Sequence, residues 1–78
     1  MERKAPYKIA KITWLDSSEM PGWVDKDVIR PIVETVNSVG FVVSENDDFI
    51  CISNGISKYQ VNSPMTIPKF AIKEISYV

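Results

Sequence analysis

Short runs of apolar, largely β-branched and aromatic residues follow one another along the chain and are separated by polar turn segments, which is the pattern of β-strands. The first run spans Tyr7–Asp16, and the longest, Ile32–Ser44, is rich in valine. Further runs follow at Phe49–Ser53, Met65–Ile67 and Ile72–Tyr77. Strands that recur at about 8–12-residue spacing, with no sustained helical period between them, predict an all-β sandwich or barrel.

Turn-forming residues separate these runs and refine the fold. Glu45–Asp48 has the composition of a hairpin turn, and Gly40 is predicted to mark a bulge or sharp bend inside the longest strand. The Ile67-Pro68 step predicts that one helical turn leads into the last strand. This combination favours a five-stranded SH3-like barrel. An OB-type barrel is the alternative, although OB folds usually insert a helix that the sequence does not indicate.

Two segments are predicted to be loops. Asp16–Trp23 is polar and contains the turn dipeptide Pro21-Gly22. Val24–Pro31 is interpreted as an irregular segment that leads the chain back towards the next strand. One helical turn is the alternative, because Pro31 would stop a longer helix. A short extended piece is also expected around Tyr59 and Val61 in the loop that precedes the last two strands.

The chain length sets further limits. Seventy-eight residues allow one small domain, assigned to residues 7–78, after a flexible tail at residues 1–6. A chain this short buries roughly 60–65 % of its unfolded surface, so its stability is expected to be marginal. The charged N-terminal residues do not predict a signal peptide, and the sequence contains no apolar run of roughly 20 residues. With Cys51 as the single cysteine, a reducing cytoplasm is the expected compartment.

Acidic residues concentrate in the middle of the chain, although the net charge is only −1. Residues 16–48 contain eight acidic and two basic side chains. Trp14 is expected in the core, whereas Trp23 is interpreted either as a lid over the barrel end or as an exposed anchor for a partner. The acidic setting of such an anchor favours a basic or proline-rich protein partner. The predicted binding residues are Trp23, Asp16, Glu19, Asp25 and Asp27.

Several kinds of chemistry lack their usual residues. Histidine is missing altogether, which removes the common general base and the commonest metal ligand. Cys51 lies in an apolar run, and the chain has no histidine that could activate its thiol. The pairs Asp25/Asp27 and Asp47/Asp48 are interpreted as solvated loop charge. The sequence therefore predicts a protein that is not an enzyme and that has neither a cofactor nor a metal site.

Two other modes of association stay open. Nucleic-acid binding is the alternative function, because small barrels often have it, but the acidic middle of the chain would repel phosphates. A homodimer through an exposed strand edge is the second possibility. The basic residues available to the nucleic-acid alternative are Lys8, Lys11, Lys69 and Lys73.

A set of short motifs resembles one small family of uncharacterised proteins encoded by phages, prophages and scattered bacterial genomes. The resemblance spans about Ile12–Ile75. It implies a phage or prophage accessory role in a bacterial cytoplasm, and it carries no catalytic or ligand residues. The motifs are Trp14-Leu15-Asp16, Gly22-Trp23, Ser38-Val39-Gly40-Phe41, the acidic turn before Phe49–Ile52, and Thr66-Ile67-Pro68-Lys69 with Ile72.

Overall fold

A computed structural model describes residues 7–17, 22–29 and 33–78 of the protein. The described chain is predominantly β, as the sequence predicts, and its two short helical segments are single 3-10 turns at Lys26–Val28 and Lys69–Ala71. The tail predicted at residues 1–6 lies outside the described residues. The strands are β1 (Ile9–Ser17), β2 (Val33–Glu45), β3 (Phe49–Ser53), β4 (Gly55–Ile56), β5 (Val61–Asn62), β6 (Met65–Pro68) and β7 (Ile72–Tyr77).

Five strands form one antiparallel sheet in the order β6-β3-β2-β1-β7, and β4 pairs with β5 in a separate two-stranded ribbon. The predicted hairpin through Glu45–Asp48 is confirmed, because β2 and β3 pair on either side of it. Asn46 caps this turn, and its Oδ1 accepts hydrogen bonds from the backbone N–H groups of Asp48 and Phe49 at 2.8 and 2.9 Å.

The sheet is not closed as a barrel. β6 and β7 stand at its two edges and do not pair with each other in the described residues. The Lys69–Ala71 turn joins these edge strands, which confirms the helical turn predicted from the Ile67-Pro68 step. Each edge is also poorly suited to pairing with another chain: β6 has four residues and ends at Pro68, and the β1–β7 register shifts beside Thr13 and Trp14.

The bulge predicted as one possibility at Gly40 is not present in the β1–β2 pairing. The β1–β2 register runs regularly through Gly40, and the irregularity lies between Val42 and Ser44 in the pairing with β3. A Cβ placed on Gly40 would lie 2.8 Å from the backbone oxygen of Ser53, where β3 ends. Gly40 therefore permits a close approach of two strands.

The core is small and lies on one face of the sheet. β1 contributes Ala10 and Ile12, so the face that contains Trp14 is the inner one. Trp14 packs against this core, as predicted, and its indole Nε1 donates a hydrogen bond to Ser38 Oγ at 3.0 Å. The buried apolar side chains of the described residues are Ala10, Ile12, Ile50, Ile52 and Ile67.

Candidate functional site

The predicted binding residues lie where β1 and β2 run beyond their other neighbours. Asp16 is near the end of β1, Trp23 and Asp25 follow in the connecting segment, and Asp27 is in the first 3-10 turn. All four side chains are exposed. Glu19 lies outside the described residues. The segment predicted to be an irregular limb or one helical turn thus contains a single 3-10 turn at Lys26–Val28.

We call the described residues 15–17, 22–29 and 33–35 the acidic arm. β7 pairs with β1 only as far as Trp14, and β3 pairs with β2 only from Phe41 onward. Every residue of the acidic arm is exposed, and its charged side chains are four carboxylates and one lysine, Lys26. Its exposed large apolar side chains are Leu15, Trp23, Val24, Val28, Ile29 and Val33.

Trp23 is the most exposed of these apolar residues. Its relative exposure is 104%, so the indole does not cover the end of the sheet and the lid interpretation is wrong. Gly22, directly before it, adopts φ +80°, a left-handed conformation that glycine reaches without the penalty of a Cβ. This conformation agrees with the turn predicted at Pro21-Gly22 and sets the direction in which the chain enters the Trp23 position.

Two carboxylates of the acidic arm stand directly opposite each other. Asp16 of β1 is the Cα partner of Glu34 of β2, and such partners share one face with Cβ atoms about 4.5–5.5 Å apart. Like charges in this arrangement are destabilising. In the described part of the chain, neither carboxylate has an ion-pair partner. The sequence prediction did not include Glu34, because its proximity to Asp16 depends on the strand register.

A polar cluster on the body of the sheet involves two of the predicted basic residues. The Glu45 carboxylate accepts hydrogen bonds from Tyr77 Oη at 2.8 and 2.9 Å and lies 2.8 Å from Lys69 Nζ. Lys8 Nζ lies 5.4 Å from the centroid of the Tyr77 ring. This cluster connects the end of β2 to the second 3-10 turn and to β7, beside the backbone hydrogen bond from Lys69 N–H to the Asp48 carbonyl at 2.8 Å.

The same contacts shift the pKa values of the cluster. Hydrogen bonds from Lys69 and then from Tyr77 lower the pKa of Glu45 below its ordinary value. The hydrogen bond to Glu45 raises the pKa of Lys69 and also that of Tyr77. Lys69 thus pairs with an exposed carboxylate of the same chain, which partly offsets its attraction for a phosphate.

The other two predicted basic residues lie apart from this ion pair. Lys11 borders a shallow groove on the outer face of β1, where Thr13 Oγ1 donates a hydrogen bond to Asn37 Oδ1 at 2.8 Å. Glu74 also lines this groove, opposite Thr13 in the β1–β7 register. Lys73 is exposed on β7. The lysines are therefore interleaved with carboxylates, and this arrangement does not form a uniformly basic surface.

Two further observations concern other kinds of site. Across residues 7–17, 22–29 and 33–78, no group of three or more histidine, cysteine, aspartate or glutamate side chains is placed to hold a metal ion. Cys51 is a free, half-buried thiol on β3. Among the described residues, no helix has the length and apolar character needed to cross a membrane.

No protein-family model matches the sequence, and no curated protein or solved structure matches it at a significant level.

Proposed function

We propose that this protein is a non-enzymatic, protein-binding accessory module that acts in a bacterial cytoplasm in a phage or prophage context. It engages its partner through the acidic arm, with Trp23 as the anchor. The observation that supports this function best is the full exposure of Trp23 on an arm whose described residues are all exposed. The phage context rests on the resemblance of the sequence motifs.

We propose that the five-stranded sheet belongs to the SH3-like fold class. The support is the strand order β6-β3-β2-β1-β7 together with the 3-10 turn that links the two edge strands. The Glu45–Lys69–Tyr77 cluster bridges elements near both edges, where a barrel would close. The OB-type alternative is less well supported, because the described residues contain no α-helix.

Burial of Trp23 would supply a large part of a binding free energy. A tryptophan side chain buries about 150–250 Å² at an interface, which corresponds to about 4–6 kcal/mol at 25 cal/mol per Å². Association itself costs at least about 4 kcal/mol of lost rigid-body freedom. Trp23 alone therefore offsets little more than the cost of association, and the neighbouring apolar side chains Val24, Val28 and Ile29 are needed for a stable complex.

The charge of the arm selects the partner. Asp16, Asp25, Asp27 and Glu34 face only one described cation on the arm, Lys26. Such a surface attracts basic partners and repels acidic ones, and its main effects are on specificity and association rate. The partner is therefore expected to present a basic surface with a pocket for an indole ring.

Capture from a phage-infected bacterial lysate tests this function. The wild-type protein, Trp23→Ala and Phe70→Ala are immobilised, and the bound proteins are quantified by mass spectrometry. Phe70 is the matched control, because it is an exposed aromatic residue (92%) outside the acidic arm. We expect a protein that the wild type and Phe70→Ala retain and that Trp23→Ala loses at least about tenfold. Equal retention by all three proteins would refute the role of Trp23.

A further inference from the structure

The first half of β2 has a free edge. β1 pairs with β2 from Val33 to Phe41, but β3 pairs with it only from Phe41 to Glu45. Asn54 and Ser63 approach β2 near Ser38, where they line a small cavity. Over residues 33–37, β2 therefore has a neighbouring strand on one side only, within the described parts of the chain.

The register shows which backbone groups face this free edge. The N–H of Val42 donates to the carbonyl of Lys8 at 2.8 Å, and in an antiparallel pair hydrogen-bonded and non-bonded positions alternate. When this alternation is followed along β2, the N–H and C=O groups of Val33, Thr35 and Asn37 lie on the side away from β1. These groups are ready to pair with an added strand.

This edge lacks the features that protect the two outer edges of the sheet. β6 is short and ends at Pro68, and the register of β7 with β1 is irregular, whereas residues 33–37 contain neither proline, glycine nor lysine. Val33, Thr35 and Val36 are β-branched and favour extended structure. Natural sheets normally block such an edge, often with charged side chains; the one charged residue of this segment, Glu34, disfavours an acidic strand and favours a basic one.

We propose that an extended basic segment of the partner protein adds as a strand to the β2 edge at residues 33–37. Its lysine or arginine side chain would lie beside Glu34, in the same cross-strand row as Asp16. This placement relieves the repulsion between the two carboxylates, neither of which has an ion-pair partner among the described residues. The inference rests on the proposed protein-binding function, and it adds the conformation and the charge pattern of the bound segment.

A second copy of this chain is a poorer occupant of the edge. Pairing of β2 with another β2 would bring two acidic arms together, each with the Asp16–Glu34 pair. Like charges that approach across neighbouring strands are destabilising. Charge complementarity therefore favours a basic partner segment over self-association.

Synthetic peptides of about ten residues test the proposal directly. One alternates threonine with lysine, a second alternates threonine with glutamate, and a third is the lysine peptide with N-methylated threonine amides. We expect saturable binding of the lysine peptide, measured by fluorescence anisotropy, that weakens at higher salt. The glutamate peptide and the N-methylated peptide should bind at least about tenfold more weakly, because one lacks the charge and the other the strand hydrogen bonds.

Two variants of the full chain locate the binding to this edge. Thr35→Pro removes an edge N–H without breaking the β1–β2 ladder and should weaken lysine-peptide binding about five- to tenfold. Glu34→Gln should weaken that binding while it raises the melting temperature by about 1–5 °C, because the repulsion with Asp16 is gone. Asp47→Asn, in the β2–β3 turn, is the control for loss of one negative charge and should leave binding unchanged.

Several results would overturn the inference. These are failure of the lysine peptide to bind, equal binding of the N-methylated peptide, and equal effects of Glu34→Gln and Asp47→Asn. Concentration-dependent dimerisation that Thr35→Pro abolishes would also overturn it, since the occupant would then be a second copy. If Thr35→Pro does not fold, the N-methylated peptide still tests the strand hydrogen bonds. Loss of lysate capture with Trp23→Ala but not with Thr35→Pro would refute strand addition and leave the proposed function intact.

Discussion

Substitution of Gly40 by alanine tests the close contact between β2 and β3. The added Cβ would lie 2.8 Å from the backbone oxygen of Ser53, 3.2 Å from Ile52 Cβ and 3.3 Å from the backbone nitrogen of Ser53. Two of these three atoms belong to the backbone of a core strand and cannot rotate away. β3 must therefore shift relative to β2, or the contact must remain strained.

The expected change in the free energy of unfolding for Gly40→Ala follows from two opposing effects. Gly→Ala at an unstrained position stabilises a protein by about 0.4–1 kcal/mol through the unfolded state, and overpacking of a filled site costs about 1–3 kcal/mol. The clash involves backbone atoms, so the upper part of that range applies. We expect a net loss of about 1–2 kcal/mol in the free energy of unfolding, or roughly 5–15 °C in melting temperature for a chain of this size.

Urea denaturation followed by circular dichroism measures the difference in unfolding free energy between Gly40→Ala and the wild type, with Gly55→Ala as the matched control. The nearest atom to a Cβ on Gly55 is Asn62 Cβ at 3.9 Å, an ordinary contact. Gly55→Ala should therefore be neutral or slightly stabilising. Equal stability of Gly40→Ala and the wild type, or equal losses in both variants, would refute the role assigned to Gly40.

Three further outcomes are expected. The pKa of Glu45 in the folded protein is lowered from its ordinary value of 4.5. The ionised Glu45 carboxylate therefore contributes fully to stability above pH 4.5, and this contribution declines as the pH falls through the folded pKa. Melting temperatures measured across this pH range should show the decline, and Glu45→Gln should lack it. Ile50→Ala, at a fully buried position, should cost about 2–5 kcal/mol in urea denaturation, and a smaller loss would show that Ile50 is not central to the core. Generic DNA should not bind at about 50 mM salt, because Lys69 pairs with Glu45 and the arm is acidic; binding with a steep salt dependence would restore the nucleic-acid alternative.

The strands follow largely from the local sequence, whereas the core face of β1 does not, because apolar residues occupy both of its faces. Runs of β-branched and aromatic residues predict β1, β2, β3, β6 and β7 to within one or two residues, because such side chains favour an extended backbone. The sequence indicates that Gly40 is exceptional, but it does not indicate the structural reason. That reason is the close approach of Ser53, which depends on how β3 lies against β2.

The features of the candidate site depend more on tertiary structure. Whether Trp23 is a lid or an exposed anchor is decided by the path of a loop, which composition does not specify. The Asp16–Glu34 opposition requires the β1–β2 register. The contact between Glu45 and Tyr77 joins residues 32 positions apart, and no local pattern connects them. The acidic segment and its tryptophan are therefore evident from the sequence, whereas the free edge of β2 is not.

The central claim is that Trp23 is an exposed anchor in the isolated protein, and acrylamide quenching measures this exposure most directly. Trp14→Phe leaves Trp23 as the sole tryptophan, and circular dichroism verifies that this variant remains folded. Emission from Trp23 should be quenched nearly as efficiently as that of a free tryptophan amide. A Trp23 shielded from quencher in the folded monomer would contradict the claim, because a buried indole cannot serve as the anchor for a partner.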